Sequence, residues 1–139
     1  MGPTVFLDTG YAIALLSPRD RYNAVAKHLG ADLNSGDHNV VTTDAVILEI
    51  GAALARVAYR GAAAMFIDGL RADPNVEIVA LDRTLFESAY RLFKERPDKD
   101  WSLTDCVSFV VIRERGISEA LTADQHFVQA EIKALLLPA

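Results

Sequence analysis

Four acidic residues stand where a folded chain could gather their carboxylates: Asp8, Glu49, Asp105 and Asp124. Asp8 ends the apolar run Thr4-Val5-Phe6-Leu7, and Asp124 follows Glu119-Ala120-Leu121-Thr122, so each lies just past an expected strand. Asp105 falls in the first turn of an expected helix, and Glu49 lies on the helix that follows a strand at residues 39–42. If the strands run parallel, Asp8 and Asp124 leave the sheet at the same end and can approach each other. Crowded carboxylates repel, and one must take up a proton unless a cation intervenes. Hard oxygen donors suit Mg²⁺, which keeps several waters and is usually bound by a few carboxylates. The sequence has no paired histidines or cysteines, which argues against zinc.

Taken singly, three of these acids have a plainer explanation, because Asp favours helix N-caps. Asp8 and Asp124 both precede expected helical turns, although Thr122 competes with Asp124 for the cap. Ser102-x-x-Asp105 has the form of a capping box, with Asp in place of the more usual Glu. Glu49 fits that explanation least well. It sits within Ala45-Val46-Ile47-Leu48-Glu49-Ile50-Gly51-Ala52-Ala53, where burying an unpaired carboxylate would be costly.

Arg56 and Arg60 lie seven and eleven residues beyond Glu49, on one stripe if a single helix runs to about residue 60. They are candidates for receiving phosphates that run away from the acids, set against solvated arginines paired with surface carboxylates. The other polar candidates carry bland readings. His28, His38 and His126 have no metal-ligand spacing, and His126 reads as a helix-turn residue near the acids. Cys106 reads as packing, Trp101 as a loop anchor, Asp100 as a solvated loop residue, and Arg113-Glu114-Arg115 as a solvated helix end.

The elements that must position these groups alternate along the chain. Strands are expected at residues 4–7, 39–42, 76–81 and 119–122, and residues 132–137 add an edge strand or an apolar hook. Helices are expected at 11–16, after an Asp20 cap, from a Thr43 or Asp44 cap to about 60, at 61–71, and after an Asp82 cap. Residues 106–112 are apolar all round. The length of the segment from 104 to 115 and the Gly116 stop favour a buried helix there over a strand. Alternating strands and helices imply an α/β fold with a mostly parallel sheet covered on both faces. Ligands in such sheets sit beyond the carboxyl ends of the strands.

The 139 residues fit one domain, 1–139, with no repeat or linker. An apolar fraction of 51% and a charged fraction of 24% are those of an ordinary soluble domain, and no run reaches the length of a membrane helix. Val5-Phe6-Leu7 is too brief for a secretory signal, and Phe6 stands where a myristoylation motif needs Ser or Thr. A single cysteine suits a reducing cytoplasm. A net charge of −5 argues against broad, non-specific coating of nucleic acid. A cluster of carboxylates supplies part of that charge, and bound cations would neutralise it locally.

Four blocks of sequence carry a resemblance. They are Phe6-Leu7-Asp8-Thr9, Val46-Ile47-Leu48-Glu49-Ile50, Ser102-Leu103-Thr104-Asp105-Cys106-Val107-Ser108-Phe109 and Leu121-Thr122-Ala123-Asp124-Gln125-His126-Phe127. In this order they resemble the PIN-domain family, most of all the VapC-type toxin ribonucleases of toxin–antitoxin systems. The resemblance implies a three-layer α/β/α sandwich around a central, mostly parallel sheet. It also implies a site for Mg²⁺ or Mn²⁺ at Asp8, Glu49, Asp105 and Asp124, with Asp8 and Asp105 central. Thr104 would be a supporting hydroxyl there, and Thr9 another.

The implied activity is that of an endoribonuclease, in which cations activate a water for in-line attack on a phosphodiester and leave 5′-phosphate and 3′-hydroxyl ends. The implied partners are RNA, a cognate antitoxin and a second copy of the chain. Apolar residues 11–16 and the second helix are the candidate homodimer interface. The alternatives are a housekeeping PIN-domain RNase and a non-catalytic PIN-like binding module, and retention of all four acids weighs against the latter. An aspartate-dependent phosphatase would need a second Asp where Gly10 stands, and a phospho-acceptor domain would need an earlier acidic pair.

Overall fold

Val5, Phe6 and Leu7 are buried on both sides of the first strand, the signature of a central parallel strand covered by helices. The computed structural model describes residues 1–139. In chain order the elements are β1 (Thr4–Leu7), α1 (Thr9–Leu16), α2 (Asn23–Ser35), β2 (Asn39–Thr43), α3 (Asp44–Ala53) and α4 (Val57–Ala72). There follow β3 (Val76–Val79), α5 (Arg83–Glu95), α6 (Leu103–Arg115), β4 (Glu119–Leu121), α7 (Gln125–Gln129) and β5 (Lys133–Ala134).

The five strands lie in the order β3-β2-β1-β4-β5, and every neighbouring pair is parallel. Phe6 stands opposite Val41 on one side and Ala120 on the other. The chain winds outward from β1 through β2 to β3, then returns to the far side of β1 for β4 and β5. The direction of winding therefore reverses between β1 and β4, and in open parallel sheets ligands bind beyond the strand ends at such a switch point. Residues 133–134 supply the edge strand expected of the tail.

Helices α1, α2 and α4 form one packed group and α5 and α6 another, while α3 touches α1, α4 and α6. In α6 every residue from Asp105 to Ile112 is buried, so the all-apolar segment is a helix through the centre of the molecule. It stops at Gly116, whose φ of 65° is the left-handed conformation that glycine adopts without strain. Aromatic rings tie this helix to its neighbours. Trp101 meets Phe109 edge-on at 4.9 Å, and Phe109 meets Phe127 of α7 at 5.0 Å. Trp101 is thus the loop anchor expected of it, 7% exposed and with its Nε1 donating to Gln129 Oε1 at 3.0 Å.

One buried side-chain polar atom lacks a partner, the Ser108 hydroxyl in the middle of α6. Ser108→Ala removes that unmet hydroxyl and raises helix propensity, so stability to chemical denaturation should rise by about 1 kcal/mol.

Several expectations need correction. The helix bearing Glu49 does not run to residue 60. Leu54 is buried, its N–H closes on the Ile50 carbonyl, and Arg56 is extended (φ −61°, ψ 147°) as the N-cap of a new helix. Beyond the turn at Leu54, α4 buries Ala63 and Leu70. Asp20 does not cap α2; its carboxylate accepts from the Tyr22 N–H at 2.8 Å in a local turn, and the helix begins at Asn23. Of the apolar residues 11–16, all on α1, Tyr11, Ala12 and Ala14 are buried and Ile13, Leu15 and Leu16 are half-buried, so the run is not a fully exposed patch. The large apolar side chains that do face solvent include Leu48, Val57, Met65 and Phe93, on α3, α4 and α5.

Candidate metal centre

Asp8 occupies the N-cap position of α1, yet its side chain makes no cap hydrogen bond. Its Oδ2 instead accepts from Thr122 Oγ1 at 2.8 Å, across the gap between the ends of β1 and β4. Parallel pairing of those strands, with Leu7 opposite Leu121, brings the two residues together. Asp8 is 7% exposed, and burial raises its carboxyl from 3.8 to about 6. The Thr122 hydroxyl and the Thr9 backbone favour the charged form, whereas the nearby Asp105 and Glu49 oppose it. A cation placed among these groups would reverse the sign of that repulsion.

The Thr122 hydroxyl also accepts from the Asp124 N–H at 3.1 Å, so one side chain links the first acid to the last. Asp124 caps α7, with Oδ1 accepting from the His126 N–H at 2.8 Å. Asp105 completes the capping box of α6: its Oδ2 accepts from the Ser102 N–H at 3.0 Å, and its own N–H donates to Ser102 Oγ at 3.0 Å. Asp105, Asp124 and His126 each present a ligand atom within 4.8 Å of the other two. Asp8 and Glu49 lie outside that triple but close enough for the charges of Glu49 and Asp105 to act on Asp8.

Glu49 corrects a premise. It is half-buried on α3, not enclosed in apolar surroundings, and its neighbour Leu48 is 71% exposed. The helix buries Ala45, Val46 and Ile50 against the core, which turns the intervening positions outward. Glu49 Oε1 accepts from Thr9 Oγ1 at 2.6 Å, so Thr9 is the hydroxyl that holds it. Thr104 is half-buried, and its hydroxyl has no hydrogen-bond partner in the chain. It lines, with Glu49, an apolar groove of about 360 Å³ that also includes Leu48, Phe86 and Leu103.

Capping and metal binding are compatible here. Glu49 Oε2, Asp105 Oδ1 and Asp124 Oδ2 receive no hydrogen bond from the chain, while the other oxygen of each is held by a donor. That is the arrangement of oriented carboxylates, each with one oxygen left to give. Four hard oxygen donors beside one imidazole fit Mg²⁺ or Mn²⁺.

Arg56 and Arg60 do not join this centre by a shared helix face. Both are exposed, and the Arg60 guanidinium donates to the Ala55 carbonyl at 2.8 Å. Cys106 is fully buried beside Asp105, its thiol pushed up to about 11 by burial, as befits packing. Asp100 is exposed in its loop. A larger cavity of about 710 Å³, between α2 and α4, contains none of the four acids.

Two residues join the acids here without a site role expected from the sequence, Thr122 and His126. In the sequence Thr122 reads as a rival cap to Asp124, and His126 as a helix-turn residue without metal-ligand spacing. The pattern Thr-x-Asp-x-His directly after a strand could have revealed both, since the strand end aims the threonine and the tight turn returns the imidazole.

A family model described as the PIN domain matches residues 5–133. The chain is 32% identical over 127 residues to the 23S rRNA-specific endonuclease VapC20 of Mycobacterium tuberculosis strains CDC 1551 / Oshkosh and ATCC 25618 / H37Rv. The match spans 91% of this chain and 93% of that one. The crystal structure of Mycobacterium tuberculosis VapC20, described as a Sarcin-Ricin loop cleaving toxin, superposes with a TM-score of 0.80 and 27% identity. It covers 92% of this chain and 95% of that chain. The crystal structure of VapBC2 from Rickettsia felis, bound to a DNA fragment from its promoter, gives a TM-score of 0.65 at 10% identity. It covers 94% and 96% of the two chains and speaks for the fold alone.

Proposed function

The chain belongs to the PIN-domain family, and on that premise we propose that it is a Mg²⁺- or Mn²⁺-dependent endoribonuclease acting as the toxin of a toxin–antitoxin pair. The observation that carries this reading is the set of oriented carboxylates at the switch point, one oxygen of each tied down by the chain. A divalent cation bound there would stabilise charge developing on a phosphodiester and make an attacking water more acidic. The residues of the chain do the rest. Asp8, Asp105, Glu49 and Asp124 hold the cation, Thr122 and Thr9 fix the first and third of these, and Ser102 fixes Asp105. Thr104, on the rim of the apolar groove, is placed to meet the RNA as it passes Glu49.

The similarity to an rRNA-specific endonuclease makes 23S rRNA the substrate to try first. Such an enzyme would work in the cytoplasm, held in check by a cognate antitoxin. The exposed apolar side chains of α3, α4 and α5, rather than α1, are the surface we assign to a second copy of the chain. No helix is long and apolar enough to cross a membrane.

The test is incubation of 23S rRNA and of an unrelated structured RNA with the protein, in Mg²⁺ or in EDTA, followed by end mapping. Discrete cuts bearing 5′-phosphates in Mg²⁺ alone are expected. Intact RNA under both conditions would favour the non-catalytic binding module.

A further inference from the structure

We propose that His126 is a positioning residue: it donates its Nδ1–H to Asp105 Oδ2 and so presents Asp105 Oδ1 to a divalent cation. This rests on the metal-centre reading given above.

The His126 Nδ1 lies 3.0 Å from Asp105 Oδ2. The same oxygen receives the Ser102 N–H at 3.0 Å. An ionised carboxylate can only accept, so the ring carries its hydrogen on Nδ1. With two donors on Oδ2, the oxygen left to bind a cation is Oδ1, and the carboxylate cannot rotate without breaking both bonds. Hydrogen bonding to the far oxygen of a ligating carboxylate fixes its orientation, and such outer-shell partners tune metal affinity.

The imidazole is itself held. The His126 backbone N–H is fastened to Asp124 Oδ1 at 2.8 Å, and Nδ1 lies 3.4 Å from that same oxygen. The next residue, Phe127, is fully buried against Phe109, and Gln129 is bonded to Trp101 in the loop that leads into α6. Helix α7 is therefore braced against the N-terminal end of α6, and the ring joins the acid from one helix to the acid from the other. Asp105 without His126 would keep its capping bond but lose the donor that comes from the side of Asp124.

Three variants separate this role from direct ligation. Asparagine places an amide N–H near the position of Nδ1, glutamine places its amide near Nε2, and alanine supplies neither. Calorimetric titration of Mg²⁺ into the metal-free proteins should show binding weakened about 10- to 100-fold in His126→Ala and His126→Gln. His126→Asn should stay near the wild-type affinity, and all three should unfold at similar temperatures without metal. Wild-type affinity in His126→Ala would overturn the proposal. Rescue by Gln but not by Asn would overturn it too, assigning the ring to the cation through Nε2. If His126→Ala fails to fold, the Asn and Gln pair decides alone. The readout needs no RNA, so a wild-type protein that binds Mg²⁺ yet cuts nothing would reject the nuclease reading and leave this one decided.

Discussion

Asp8→Asn should abolish RNA cleavage and, at the same time, make the metal-free protein more stable at neutral pH. The two effects have one cause. Burial raises the Asp8 carboxyl from 3.8 to about 6, against the pull of the Thr122 hydroxyl. For an acid whose pKa is raised on folding, the folded state holds the proton more tightly than the unfolded chain does. Stability linked to Asp8 is therefore greatest below about pH 4, falls as pH rises toward 6, and stays low above it. A shift of roughly two units corresponds to a penalty of about 3 kcal/mol at neutral pH.

Asparagine removes that penalty, and its amide oxygen can still accept from Thr122. The expected gain in the metal-free protein is about 1–3 kcal/mol at pH 7.5, roughly 3–8 °C in Tm. The gain should vanish near pH 4, where the wild-type acid is itself neutral. Cleavage should fall by more than about 100-fold, beyond the loss expected from an outer-shell partner alone. Thermal unfolding at pH 4 and 7.5, alongside single-turnover cleavage, checks both halves. A variant that is less stable than wild type at pH 7.5 would mean that Asp8 is a structural acid.

The second large effect follows from the same electrostatics. Metal should stabilise the wild-type fold strongly, because it neutralises carboxylates that repel one another when it is absent. Mg²⁺ at about a hundredfold above its Kd should add about 2.7 kcal/mol to the stability, by mass action on the folded state. EDTA should lower Tm to the metal-free value and stop cleavage, and Mn²⁺ should restore both. In Asp8→Asn and in Asp105→Asn the Tm increment from Mg²⁺ should largely disappear. Differential scanning calorimetry in excess Mg²⁺ and in EDTA reads this directly. Equal increments in wild type and variants would place the bound metal elsewhere.

Elements dominated by one physical signal are legible in the sequence. Strand β1 is a short apolar run closed by an acid, and α6 is an apolar segment too long for a strand with glycine behind it. Parallel order followed from alternation, and with it the exit of β1 and β4, which carry Asp8 and Asp124 just past their ends, at one end of the sheet. The capping box at Ser102 and Asp105 was legible because it is local, three residues apart. What failed depended on tertiary packing. No proline or glycine marks the break at Leu54; it arises because Leu54 and the face of α4 are both buried, a choice made by the core.

Arg56 and Arg60 lost their shared stripe with that break. The exposure of Leu48 beside Glu49 could not be read from composition either, since an apolar residue is compatible with core and surface alike. The partners of the acids were the least visible layer. Thr122 reaches Asp8 across 114 positions of sequence, and Thr9 reaches Glu49 across 40, through pairing and packing that no local pattern encodes. Family resemblance supplied the acids as a set, whereas the geometry supplied what orients each of them.

The most direct test of the account is Mn²⁺ binding, read as loss of the free-ion electron paramagnetic resonance signal on titration into metal-free protein. The wild-type chain should take up Mn²⁺, release it to excess Mg²⁺, and lose uptake in the Asp8→Asn, Asp105→Asn double variant. Uptake by the folded double variant with unchanged affinity would contradict the claim that these carboxylates hold the cation.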